Sequence, residues 1–69
     1  MTKYNVLIEQ DNEGWFVSEV VELPGCHTQA RTLDELISRT KEAIKAYLED
    51  EAEIGLETKF IGIQQIEVG

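Results

Sequence analysis

Pro24 and Gly25, side by side after an alternating apolar run, set the layout of this 69-residue chain. Proline fixes its own φ and lacks an N–H, so Pro24 cannot sit inside a paired strand. Gly25 permits a backbone turn that other residues resist. Leu23–Pro24–Gly25–Cys26 therefore reads as a corner between two strands. The run before the corner alternates with a period of two. Beyond the corner come a short polar stretch and then one convincing helix.

Lys3–Gln10 places Tyr4, Val6 and Ile8 on one side and Asn5, Leu7 and Glu9 on the other, the pattern of a half-buried strand. Asp11–Asn12–Glu13–Gly14 is a polar turn ending in glycine, the punctuation of a hairpin. Trp15–Val21 is rich in β-branched and aromatic residues and reads as a second strand. One of its faces carries Phe16, Ser18 and Val20; the other carries Trp15, Val17, Glu19 and Val21. Cys26–Arg31 reads as a short third strand with Cys26, Thr28 and Ala30 on one side.

Thr32-Leu33-Asp34-Glu35 fits a capping box, in which Thr32 caps an amide and Glu35 reaches back to the Thr32 amide. Leu33, Leu36, Ile37, Thr40, Ile44, Tyr47 and Leu48 then recur at helical spacing. Glu35–Arg39 and Lys45–Glu49 are candidate i,i+4 ion pairs. The helix should fade within Glu49–Glu53, where acids meet the negative end of its dipole, and Gly55 is the expected stop. Lys59–Val68 reads as a last strand. The expected fold is α+β: one domain over residues 1–69, in the order β-β-β-α-β. A mixed four-stranded sheet would carry the helix on one face, and a right-handed crossover would set strand 4 parallel to strand 3.

One helix covers one sheet face. Leu7, Trp15 and Val17 are left over, as are apolar residues of both parities in the last strand: Phe60, Ile66 and Val68 against Ile61 and Ile63. Leftover apolar surface reads either as an interface or, at the sheet rim, as Trp15 and Leu7 covering each other. A domain this small often gains stability by oligomerising.

Acids outnumber bases 14 to 6, for a formal charge of -8. The bases are scattered, so no basic patch points to direct nucleic-acid binding. The acidity fits either a basic protein partner or simple solubility. One cysteine, no apolar leader and no apolar run near ~20 residues suggest a cytoplasmic protein away from membranes. Adjacent Cys26 and His27 would face opposite sides of a strand, so neither a metal site nor a Cys–His dyad is expected. Asp11, Asp34, Glu9 and Glu19 show no forced convergence of the kind a metal-dependent nuclease needs. No catalytic residue and no cofactor is expected.

The segment Glu13-Gly14-Trp15-Phe16-Val17-Ser18-Glu19-Val20 leads into Glu22-Leu23-Pro24-Gly25-Cys26, then Thr28-Gln29-Ala30, Thr32, Glu35-Leu36 and Glu42-Ala43-Ile44. With Tyr4, Val6 and Ile8-Glu9 upstream, this set resembles the HicB-like antitoxin family. The resemblance implies a reduced ribonuclease H-like unit with strand 4 beside strand 1. It also implies a protein partner: a small basic HicA-like toxin that cuts messenger RNA, silenced when its RNA-binding surface is covered. Phe16, Ser18 and Val20 would then face the helix, leaving Leu7, Trp15 and Val17 on the open side. Leu7, Trp15, Val17 and Glu19 are the expected partner-binding residues; Phe60, Ile61 and Ile63 are the expected interface of a homo-oligomer. Val21 and Ala30 stand where family members often carry proline and glycine. Many members continue into a DNA-binding segment. This chain ends at Gly69, after the last expected strand, so operator binding is not expected of it. The alternative reading is a self-associating regulatory or structural domain without a toxin.

Overall fold

The computed structural model describes residues 2–51 and 59–69. Three strands and one helix follow in chain order: β1 (Val6–Gln10), β2 (Phe16–Val20), β3 (His27–Ala30) and α1 (Leu33–Glu51). The strands form an antiparallel meander in the order β1-β2-β3. Leu7 lies opposite Glu19 and Ile8 opposite Ser18, while Ser18 in turn lies opposite Thr28 and Glu19 opposite His27. This register puts Val6, Ile8, Phe16, Ser18, Val20, Thr28 and Ala30 on the helix side, as the alternation predicts.

Both turns follow from local chemistry. In the first, Asp11 Oδ1 accepts from the amides of Glu13 (2.9 Å) and Trp15 (3.0 Å), and Gly14 supplies a φ of 88°. In the second, the Cys26 amide donates to the Leu23 carbonyl at 2.9 Å across Pro24 and Gly25. Gly25 has φ 83°, the geometry of a type II turn with proline and glycine at its centre. Leu23 and Cys26 flank the turn and are both buried, so the corner is pinned from below.

The core is small: Val20, Leu23 and Cys26 cluster, with Tyr4, Val6, Ala43, Ile44 and Tyr47 packed against them. Ala30 and Leu36 are also buried. Ser18 and Thr40 bring a hydroxyl pair between sheet and helix, 2.8 Å apart. Thr40 Oγ1 donates to the Leu36 carbonyl at 2.6 Å. Leu36 and Thr40 form the centre of the helix stripe. Leu33, Ile37 and Leu48 lie at its exposed rim.

Two local expectations resolve differently. Thr32 Oγ1 does accept from the Glu35 amide at 3.2 Å, but the Glu35 carboxylate turns to Arg39 at 2.6 Å instead of reaching back. A guanidinium one turn away offers it a charged donor, stronger than a neutral amide. Among the described residues, Lys45 and Glu49 form no ion pair. Gly55 and the end of the Glu49–Glu53 acidic run lie outside the described residues.

The fourth strand expected over Lys59–Val68 does not form. Residues 59–69 carry no regular structure, and Ile61, Ile63, Ile66 and Val68 are exposed. The sheet is therefore three-stranded and antiparallel rather than four-stranded and mixed. A strand persists only when its N–H and C=O groups meet a partner strand, and this segment meets none among the described residues. The chain remains α+β, with one helix on one sheet face.

Candidate functional site

The open sheet face is built by the parity opposite to the core. Across its middle run Leu7, Glu19 and His27, directly opposite one another; the next row is Glu9, Val17 and Gln29. Side chains paired this way stand ~5 Å apart at Cβ, so each row is one contiguous strip. Trp15 extends the face beyond Val17, at the mouth of the first hairpin. Its position is set on both sides, because its amide donates to Asp11 Oδ1 and its carbonyl accepts from the Asp11 amide at 2.9 Å.

Arg31 covers one face of the Trp15 ring, with its guanidinium carbon 4.0 Å from the ring centroid. The same guanidinium donates to the Glu13 carbonyl at 3.2 Å. The contact ties the end of β3 to the first hairpin and is worth roughly 0.5–1 kcal/mol at an exposed position. Trp15 is half-buried, with Arg31 over one face of its ring.

The structure brings Leu7, Trp15, Val17 and Glu19 onto one surface. Leu7 is exposed, Val17 half-buried and Glu19 exposed. Glu9 joins them as a second acid. His27, Gln29 and Arg31 complete the face; none of the three was among the expected partner-binding residues. The signal for Arg31 is the register: once Ala30 pairs with Phe16, the next residue of β3 must lie beside the one before Phe16. Of the expected oligomer residues, Phe60 is half-buried, while Ile61 and Ile63 are exposed.

Glu22 does not belong to the open face. Its carboxylate accepts from the Asn5 side chain at 2.6 Å and the Asn5 amide at 2.8 Å, fastening the corner to the start of β1. These hydrogen bonds, the side-chain one foremost, hold its carboxyl below the ordinary glutamate value. Cys26 is a buried free thiol, and loss of hydration pushes its pKa up. A thiol in that state is a poor nucleophile. Asp11 is occupied in the hairpin, where its Oδ1 accepts two backbone amides, and Asp34 stands in the first turn of α1. Among the described residues, no three His, Cys, Asp or Glu side chains gather as a metal site would require. Nor is any helix long and apolar enough to cross a membrane.

The fold and this face define a small scaffold with one sheet face spent on its core and the other left for contact. The chain belongs to the family described as the HicB-like antitoxins of bacterial toxin–antitoxin systems, whose profile matches residues 4–67. It is 50% identical to a UPF0150 protein of Archaeoglobus fulgidus over 66 residues, covering 96% of this chain and 94% of that protein. A UPF0150 protein of Synechocystis is 41% identical over the same shares of both chains. One from Thermoplasma acidophilum is 49% identical over 68% of each. No solved structure matches the chain. Family membership points to a role in a toxin–antitoxin pair, with a toxin as partner, and to a non-enzymatic one.

Proposed function

We propose that this chain is the neutralising member of a toxin–antitoxin pair. It binds a small basic HicA-like ribonuclease stoichiometrically in the cytoplasm and covers that enzyme's RNA-binding surface. The observation that carries this reading is the open face itself: Leu7 and Val17 on one diagonal, with Trp15 beyond Val17, interleaved with Glu19 and Glu9 directly opposite them. Apolar residues at the centre anchor such an interface, while acids at its rim steer a basic partner and set its salt dependence. Arg31 already holds one side of the Trp15 ring. The partner therefore meets the ring's edge and its other side, or takes the place of Arg31.

Co-expression with a small basic HicA-like toxin tests this reading. The parent chain should relieve growth arrest and co-purify with the toxin. A Val17→Asp variant that keeps its far-ultraviolet circular dichroism should lose both properties. Equal protection by Val17→Asp would remove the open face from the interface. Failure of the parent chain to bind or protect would remove the function.

A second reading, self-association through Phe60, Ile61 and Ile63, is favoured by the exposure of the apolar C-terminal segment. On this reading the four-stranded, ribonuclease H-like sheet is completed only on assembly.

A further inference from the structure

A groove of about 380 Å³ runs between β1 and α1. Its walls are apolar: Tyr4, Val6 and Ile8 from the sheet, Leu36, Ile37 and Ile44 from the helix. Ile8 and Ile37, on either side of it, remain about half exposed. None of residues 59–69 lines this groove.

The outer edge of β1 runs along the same groove. Val21 donates to the Asn5 carbonyl and Asp11 to the Trp15 carbonyl, so the odd-numbered residues of β1 direct their backbone toward β2. By the alternation of an antiparallel ladder, Val6, Ile8 and Gln10 direct theirs outward, where the sheet has no further strand among the described residues. The opposite edge is less receptive. β3 is only four residues long, and Arg39 donates to its Gln29 carbonyl at 2.9 Å.

The complement to this slot is carried on the chain itself. Ile61, Ile63, Ile66 and Val68 are 87%, 74%, 76% and 87% exposed. A chain that exposes both a strand-accepting slot and an unpaired apolar segment is self-complementary, and two such chains close as a symmetric pair.

We infer that residues 60–68 of one copy add as a fourth strand to the β1 edge of a second copy, filling its groove, with the exchange reciprocal. This rests on the self-association reading above and does not involve the toxin. Backbone pairing would come from Val6 and Ile8, and alternate side chains of the incoming strand would enter between β1 and α1. Stable specific interfaces bury about 1,200–2,000 Å² in total, which is the area the two exchanged segments would have to supply.

The test uses the full chain. Light scattering should give twice the chain mass. In a sample mixing isotope-labelled and unlabelled chains, isotope-filtered NMR should show contacts between chains, from the methyls of Ile61, Ile63, Ile66 or Val68 to those of Val6, Ile8 or Ile44. The paired variants Ile61→Asp/Ile63→Asp and Ile66→Asp/Val68→Asp change exposed residues, so both should fold. At least one should weaken the dimer tenfold or more. A monomer would overturn both the exchange and self-association. A dimer whose contacts arise only within one chain, or that both paired variants leave equally tight, would overturn the exchange alone.

Discussion

Replacing Thr40 with valine probes the buried hydroxyl contact between helix and sheet. Thr40 Oγ1 lies 2.6 Å from the Leu36 carbonyl and 2.8 Å from Ser18 Oγ. A carbonyl can only accept, so the single Thr40 proton goes to Leu36, and Ser18 must be the donor in the second bond. Thr40→Val keeps the shape but strands the Ser18 hydroxyl in a site with no water contact. Leaving a buried donor unpaired costs about 1–3 kcal/mol. Ser18→Ala removes that donor while Thr40 keeps its bond to Leu36, a loss of about 0.5–1.5 kcal/mol. With both changes made, no polar side chain remains stranded, so Ser18→Ala should be neutral or stabilising in the Thr40→Val background. The double variant should thus be no less stable than Thr40→Val alone. For a chain this short, about 1 kcal/mol moves the melting midpoint by roughly 4–8 °C. Thermal unfolding followed by circular dichroism, at one fixed protein concentration, reads the whole cycle. If Ser18→Ala costs the same in both backgrounds, the assigned donor and the coupling between helix and sheet are wrong.

Three further outcomes are expected. Gly25→Ala meets no atom within 4 Å of the added carbon. Its penalty is therefore purely conformational at φ 83°, about 1–2 kcal/mol, seen as a lower urea midpoint at unchanged slope. Glu22 has a folded pKa below its unfolded value of 4.5, so its contribution to stability is present above that pH and lost as pH falls through the folded value. Glu22→Gln should accordingly flatten the acid limb of a stability–pH curve, and an unchanged limb would contradict the Asn5 clip. Cys26 is buried with a raised pKa, so it should react with a thiol reagent only as fast as the chain opens. Labelling in native buffer at the rate seen in 6 M guanidinium (about that of a free thiol) would show the corner to be open.

The meander was legible because each of its devices is local. Alternation fixed the faces of β1 and β2, Asp11–Gly14 and Pro24–Gly25 fixed the turns, and Thr32 fixed the helix start. These act within a few residues and need no tertiary help. The last strand was not legible in the same way. Apolar residues of both parities in 60–68 gave it the composition of a strand, but pairing is supplied by a neighbour that composition cannot name. The four expected site residues fell on one face because parity alone decides that. Parity could not reveal how they are covered. Arg31 reaches Trp15 only because Phe16 pairs with Ala30, and register is a property of two strands. Glu22 likewise counted as one more acid until its distance to Asn5 gave it a structural task.

The Arg39 contact with the Gln29 carbonyl has a consequence for colloidal behaviour. A sheet with two receptive edges can stack indefinitely, each copy offering a fresh edge to the next, and such growth ends in fibres. β3 is short, and a guanidinium already holds the Gln29 carbonyl that an added strand on this side would use. The ion pair of Arg39 with Glu35 keeps that side chain in reach of the strand, so this edge offers less to a further copy than the β1 edge does.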